Sequence, residues 1–368
     1  MAGGPANDAH RFATVTHAPK SLTFSCATAA AFDHRPAPDP FSRPHLCFAC
    51  GAVNAVSFRL SSTVVQAMKS IFFDCNDQLG AVWQQVLRSD DPPIDVNMTP
   101  FKKEELPLVI AGYDIAIDDH SYMPTDLVER CKQLKHIVFL GTGAASYMNI
   151  AELKERGITV HIIKGYGDVA VAEHTMALLF ACARDIARMD REVRGGTWAP
   201  KEGMQLQGKT VGLIGLGGIG TEFARMAAGI GMNVIAYNRT PKPELGIKQV
   251  DIETLLKSSD VVSLHLTLGD ETRGFLSADR IAMMKHGAIL VNTARGALVD
   301  ETALIQALKS GIIRQAGLDV FHSEPLDAKS ELAQLPNVTL TSHAAFRTLE
   351  ASQTLLRRAI DIVKSIKG

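Results

Sequence analysis

Six residues, Gly215-Leu-Gly217-Gly218-Ile219-Gly220, directly follow the apolar run Thr-Val-Gly-Leu-Ile and precede the helix-forming Thr-Glu-Phe-Ala-Arg-Met. Glycines at this spacing have separate tasks. Gly215 permits a tight turn, Gly217 lets backbone approach a pyrophosphate, and Gly220 lets helix and strand pack closely. Amides of the opening turn, at Gly218 and Ile219, and the positive end of the helix then suit an anion. A second apolar run, Val234 to Tyr237, follows at the distance a dinucleotide-binding unit needs. Where an acid would bind the 2'-hydroxyl of NAD, this run ends in Asn238-Arg239-Thr240, with Lys242 just beyond. A guanidinium and a hydroxyl suit a phosphate, so NADP is favoured over NAD. In the alternative, Arg239 lies over the adenine and Asn238 bonds an unphosphorylated ribose. Cys47 and Cys50 form a CxxC, the half of a zinc site or a redox pair. A four-ligand site needs a second pair at regular spacing and none follows, so no metal is expected.

These residues need a frame. From Met68 onward short apolar runs alternate with helical stretches, the pattern of a parallel sheet with helices on both faces. A first set holds Ser-Ile-Phe-Phe-Asp near residue 71, Asp114 to Ile117, His136 to Leu140 and Thr159 to Ile163. A second set holds six runs: TVGLIG, NVIAY, VVSLHL, AILVN, AGLDVF and VTLTS. Between the sets, residues 171–193 read as one connecting helix, with Met176, Leu179, Phe180 and Ala183 at helical spacing and His174 structural. After His343, the apolar residues Leu355, Ala359, Ile362 and Ile366 predict a helix that returns to the first set. The fold class is therefore α/β: two Rossmann-like doubly wound domains, with a nucleotide-binding domain (167–345) inserted into a smaller flavodoxin-like substrate domain (68–166 plus 346–368). Residues 1–67 show no sustained period, and Met68 looks like a natural start. They read as an extension outside the fold or an over-long gene start.

Three more segments follow in order: Val291-Asn-Thr-Ala-Arg295-Gly-Ala-Leu-Val-Asp300, Ala316-Gly-Leu-Asp319-Val-Phe-His-Ser-Glu324-Pro325 and Thr341-Ser-His343-Ala-Ala345. With the glycine motif, they resemble the D-isomer-specific 2-hydroxyacid dehydrogenase family over essentially all of residues 68–368. The resemblance implies an NAD(P)-dependent oxidoreductase that moves a hydride between NAD(P)H and a small 2-oxo or 2-hydroxy acid, of glyoxylate/hydroxypyruvate type or phosphoglycerate type. It places the catalytic arginine at Arg295, the catalytic glutamate at Glu324 and the acid/base histidine at His343. Chemistry agrees with these roles. An arginine fork holds a carboxylate and polarises a ketone. Histidine donates a proton near neutral pH, and a carboxylate on its far nitrogen fixes the tautomer.

The resemblance also sets Thr293, Ala294, Asp319, His343 and Ala345 beside the cofactor. His265-Leu266-Thr267-Leu268 and Thr272 resemble the loop under the nicotinamide ribose, although proline is usual where Thr267 stands. Asp319 reads either as a neighbour of the nicotinamide amide or as a strand-end cap. Gly141-Thr142-Gly143 resembles the loop whose amides receive the substrate carboxylate. The family continues with an acid and an asparagine, whereas this chain has Ala144-Ala-Ser-Tyr147. Arg194-Gly-Gly-Thr-Trp198 resembles the domain-boundary segment, where Trp198 is expected to pack. A cleft closing about hinges at residues 165–168 and 343–348 is expected, as is a homodimer through the nucleotide domain. A formate-type enzyme is disfavoured, because Glu324 stands where a glutamine would be. A phosphoglycerate enzyme fits less well than a short reductase, because little chain follows His343 for a regulatory domain. The alternative from another class is an NAD(H)-sensing, corepressor-like binding protein on the same fold.

Composition narrows the field further. The chain's 368 residues suggest about two domains at roughly 150 residues each. Lys plus Arg is 38 against 39 for Asp plus Glu, a net charge of -1, which supplies no field for nucleic acid or an anionic membrane. No apolar run reaches the roughly 18 residues of a membrane span. Cys26, Cys75, Cys131 and Cys182 have no near partner in sequence and read as reduced thiols of a cytoplasmic protein.

Overall fold

The computed structural model describes residues 67–368. The expected extension, with Cys26 and the Cys47–Cys50 pair, lies outside the described residues. Twelve strands are described: β1 (Ser70–Phe72), β2 (Asp95–Val96), β3 (Ile115–Asp118), β4 (His136–Phe139), β5 (Thr159–Ile162), β6 (Thr210–Ile214), β7 (Asn233–Tyr237), β8 (Lys248–Gln249), β9 (Val261–Leu264), β10 (Ala288–Asn292), β11 (Ile313–Leu318) and β12 (Val338–Leu340). They form two sheets, β2-β1-β3-β4-β5 and β12-β11-β10-β9-β6-β7-β8. Every paired strand is parallel.

The smaller sheet has the flavodoxin-like order and the larger the Rossmann order with a seventh strand added. In the larger sheet, β9 and β10 are buried along their whole length, and β6 at all but its first residue. Strands covered by helices on both faces require such unbroken apolar runs. The order reverses between β6 and β9, so a crevice opens beyond their carboxyl ends.

The chain leaves the smaller sheet after β5 and returns in the helix Leu349–Lys367. Leu355, Leu356, Ala359, Ile360 and Val363 of that helix pack with Phe72, Ile115 and Val138 of the smaller sheet, as the helical spacing predicts. Two strands escaped the sequence reading. β2 and β8 are two-residue edge pieces, too short to show any period.

The single connecting helix expected over residues 171–193 is in fact two, Asp168–Ala183 and Ile186–Arg194. Asp185 breaks it with a left-handed backbone, φ 56°. Its carboxylate accepts a 2.7 Å hydrogen bond from Gln315 in β11, and both side chains are buried. Trp198 does not pack as expected. It is 85% exposed, and Ile186 and Val193 are exposed with it. Cys75, Cys131 and Cys182 are buried free thiols. Among the described residues no helix is long and apolar enough to cross a membrane.

Candidate active site

Parallel strands deliver their following residues to one edge, and the residues singled out from the sequence lie just past strand ends. The glycine turn follows β6, His265 to Leu268 follow β9, Arg295 follows β10, Asp319 follows β11 and His343 follows β12. Gly141 to Gly143 follow β4 in the smaller sheet. A cavity of about 580 Å³ lies between these edges. Its lining includes Gly141, Thr142, Gly143, Arg295, Glu324 and His343.

Buried Asn292 shapes the turn that carries the arginine. Its Nδ2 donates to the Arg295 carbonyl at 2.9 Å and its Oδ1 accepts from the Ala294 amide at 3.0 Å. The guanidinium donates to the Ala294 carbonyl at 2.7 Å and reaches the other sheet, where Nη2 lies 2.5 Å from any Cβ added to Gly143. Gly296, next in sequence, presses against the backbone of Phe321 and His322, which sets the arginine turn against the loop carrying Glu324. Glu324 uses both oxygens. Oε1 accepts from the Phe321 amide at 2.9 Å, and Oε2 lies 2.7 Å from His343 Nδ1. His343 Nε2 has no partner among the described residues.

His343 sits at φ 51°, a left-handed conformation that a non-glycine residue adopts only under constraint. The constraint is Asp319. Its Oδ1 accepts from the Thr341 hydroxyl at 2.6 Å and the Ala344 amide at 2.9 Å, and its Oδ2 from the Ala345 amide at 3.0 Å. His174 of the connecting helix lies 3.5 Å from the same carboxylate and 3.0 Å from Thr341 Oγ1. Burial pushes the Asp319 carboxyl up, but these donors outweigh it and hold the group below its ordinary value. Of the two readings for Asp319, the strand-end cap describes its bonding, although it also lines the cavity.

Ile219, Leu266, Thr267, Thr293, Ala294 and Ala345 also line the cavity. Thr293 bonds Thr175 of the connecting helix at 2.8 Å. Thr272 is not among the lining residues; its hydroxyl donates to the Thr267 carbonyl at 2.7 Å and accepts from the Gly269 amide at 2.8 Å. That brace fixes the loop where proline was expected. Asn238, Arg239 and Thr240 stand apart from this cavity, beyond the glycine turn. Asn238 Oδ1 accepts from the Leu216 amide at 3.0 Å and Lys242 Nζ donates to the Leu216 carbonyl at 2.8 Å. Arg239 pairs with exposed Glu271 at 2.5 Å.

The glycine turn fits a dinucleotide. Gly215 has φ 107°, and a Cβ on Gly220 would run into the Gly215 carbonyl. A Cβ on Gly217 would meet nothing, which leaves open space at the helix start where a pyrophosphate belongs. A Cβ on Gly218 would strike the carboxylate of Asp168, an acid the sequence reading overlooked. Burial holds the Asp168 carboxyl above its ordinary value; Arg358 opposes that shift and Glu222 adds to it. His265 is pushed down to about 3 by burial, and its Nδ1 is buried with no partner among the described residues.

The smaller sheet adds a wall of rings that the sequence reading missed: His120, Phe139, Tyr147, Tyr166 and Phe346. Tyr147 registered only as a departure from the family pattern, and Phe346 gave the one local signal, three residues beyond His343. Burial raises the Tyr147 hydroxyl and takes Tyr166 up to about 12, with Arg295 opposing both shifts. Both phenols therefore keep their protons near neutral pH.

A parallel sheet with a phosphate cradle at its switch point, next to an arginine and a histidine–carboxylate pair, defines a nicotinamide-dependent oxidoreductase. Residues 176–345 match the family model described as "D-isomer specific 2-hydroxyacid dehydrogenase, NAD binding domain". A hydroxypyruvate reductase of Thermotoga maritima is 38% identical over 297 residues, covering 79% of this chain and 95% of that protein. A glyoxylate reductase of Thermococcus litoralis is 43% identical over 241 residues, covering 62% of this chain and 72% of the relative. The crystal structure of a glyoxylate reductase from Paecilomyes thermophila superposes with a TM-score of 0.74 at 28% identity, covering 82% of this chain and 96% of that one. The chain belongs to the D-isomer-specific 2-hydroxyacid dehydrogenase family, enzymes that transfer a hydride between NAD(P)H and a small 2-oxo or 2-hydroxy acid.

Proposed function

We propose that this chain is a reductase of short 2-oxo acids, of the glyoxylate or hydroxypyruvate kind, working in the cytoplasm as a homodimer. The observation that carries the reading is the convergence of Arg295 and the 2.7 Å Glu324–His343 pair in one cavity at the mouth of the glycine turn. The bound nicotinamide supplies the hydride. Arg295 holds the substrate carboxylate and polarises its ketone, with amides of Gly141, Thr142 and Gly143 as further donors. His343 Nε2 gives the proton to the substrate oxygen, while Glu324 on Nδ1 fixes the tautomer and favours the charged imidazolium.

For the cofactor, Gly215, Gly217, Gly218, Ile219 and Gly220 would hold the pyrophosphate. Leu266, Thr267, Thr293, Ala294 and Ala345 would line the nicotinamide half, with Asp319 bracing the loop after Thr341 and Thr272 bracing the loop after His265. Arg239, Thr240 and Lys242 would hold a 2'-phosphate, and the lack of an acid at their position supports NADP over NAD, while Asn238 keeps the turn in shape. Residues 68–166 and 346–368 form the substrate domain and 167–345 the nucleotide domain. Closure about residues 165–168 and 343–348 excludes water from the transfer. Exposed Ile186, Val193 and Trp198 support the dimer, and the unpaired buried thiols support a reducing compartment.

The test is steady-state oxidation of NADPH and NADH with glyoxylate, hydroxypyruvate and pyruvate. Turnover is expected with at least the first two, and with NADPH at the lower KM. Tight cofactor binding with no turnover of any 2-oxo acid would overturn the reading in favour of a cofactor sensor.

A further inference from the structure

Once Arg295 and residues 141–143 hold the carboxylate and His343 faces C2, the substituent on C2 is left to meet the ring wall. His120 stands in the middle of that wall. Its ring is edge-on to Phe139 at 5.3 Å and Tyr147 at 5.1 Å, and lies 6.0 Å from Phe346, whose own ring is perpendicular to that of His343 at 6.2 Å. His120 and His343 thus flank one phenylalanine.

The loop carrying His120 is firmly tied. Asp74, just past β1, accepts from the amides of Asp119 (2.8 Å), His120 (3.2 Å) and Ser121 (3.2 Å), and from the Ser121 hydroxyl (2.8 Å). Asp119 Oδ1 engages His120 Nδ1 at 3.0 Å, so Nε2 is the nitrogen without a partner among the described residues.

Charge excludes one class of substituent. Among the described lining residues the only Arg or Lys is Arg295, which the 2-oxo acid reading gives to the substrate carboxylate. Behind His120 lie Asp119, Asp74 and Asp118. Burial raises both of the latter, and Asp74 pushes the fully buried Asp118 up further. A phosphate or second carboxylate on C3 would find no second cation among the described lining residues and would approach the side of His120 that carries Asp119. A hydroxyl both donates and accepts, so it suits Nε2 in either protonation state. The rings already fill the wall by packing on one another, which favours a short arm over an aromatic one.

We propose that His120, positioned by Asp119, is the residue that reads the C3 group of the substrate, selecting a short arm with an uncharged hydroxyl over a bare methyl or a phosphate. The inference rests on the 2-oxo acid reductase reading, and the experiment separates the two. The full chain is assayed with glyoxylate, pyruvate, hydroxypyruvate and phosphohydroxypyruvate. Hydroxypyruvate should exceed pyruvate and phosphohydroxypyruvate in kcat/KM by about tenfold or more, because a site built around a hydroxyl rejects analogues that leave its polar atoms unpaired. His120→Phe, which keeps a ring and loses the nitrogen, should bring the hydroxypyruvate-to-pyruvate ratio near one. His120→Gln should retain part of the ratio, and it serves as the readout if the phenylalanine variant does not fold. Asp119→Asn should raise the KM for hydroxypyruvate more than it lowers kcat, as a positioning role demands. A ratio unchanged in the His120 variants, or wild-type preference for pyruvate or the phosphorylated acid, overturns the inference. Glyoxylate has no C3, so its turnover by the wild type tests the underlying reading alone.

Discussion

Gly217 and Gly220 are three residues apart and have opposite sensitivities. Alanine at Gly220 collides with the Gly215 carbonyl, so Gly220→Ala should destabilise the protein by about 2 kcal/mol in urea unfolding. Alanine at Gly217 meets nothing and has an ordinary φ of -78°. Gly217→Ala should therefore unfold within about 0.5 kcal/mol of wild type. Its cost falls on the cofactor, with NADPH affinity lower by about tenfold, because the new methyl occupies the pyrophosphate's approach. Titration calorimetry showing wild-type affinity would remove the pyrophosphate from this turn. Arg295→Lys keeps the charge and loses the fork; kcat/KM should fall by about a hundredfold, mostly through KM. Arg295, Glu324 and His343 were legible because each lies in a local motif just beyond an apolar run. His120, Tyr147 and Phe346 were not. Each comes from a separate loop, and only tertiary packing makes them one wall.

At the scale of elements, Asp319 is the pin between β11 and the loop after β12. Asp319→Ala strands the Ala344 and Ala345 amides and frees the left-handed His343, so stability should drop by about 3 kcal/mol. The kcat should fall by more than tenfold while NADPH binding, read by fluorescence, weakens less. A second pin joins the C-terminal helix to the segment after helix Asp77–Val86. Arg357 grips Asp91 in a fork, at 2.7 and 2.8 Å, and donates to the Val86 carbonyl at 2.8 Å. The guanidinium holds the Asp91 carboxyl down at about 2, from an ordinary 3.8. A depressed carboxyl stabilises fully above its unfolded value and progressively less below it. This pair should thus contribute about 2 kcal/mol at neutral pH, lost as pH falls from about 4 to about 2. Asp91→Asn should unfold at lower urea than wild type at pH 7, and the gap should close near pH 2. Long runs such as β6 and β10 were readable from sequence because burial on both faces leaves an unbroken apolar signature. The break at Asp185 was hidden, since it depends on Gln315, distant along the chain.

For the whole molecule, the two sheets share one cavity, and among the described residues the chain passes between them only through residues 163–167 and 341–348. Alternation of strand and helix predicted this arrangement. It gave no hint that Trp198 would stand 85% exposed. Trp198→Ser, with Ile186→Ser if needed, should shift the sedimentation profile toward monomer while leaving far-ultraviolet circular dichroism intact. The returning helix also imposes an order on biosynthesis. Residues 67–162 emerge from the ribosome before the larger sheet, yet the side chains that seal their core, Leu355 to Val363, are translated only after that entire sheet. The second half to be made should be the first to mature. A released chain ending at Arg347 should therefore yield a trypsin-resistant fragment from residue 168 onward, while the earlier segment is digested.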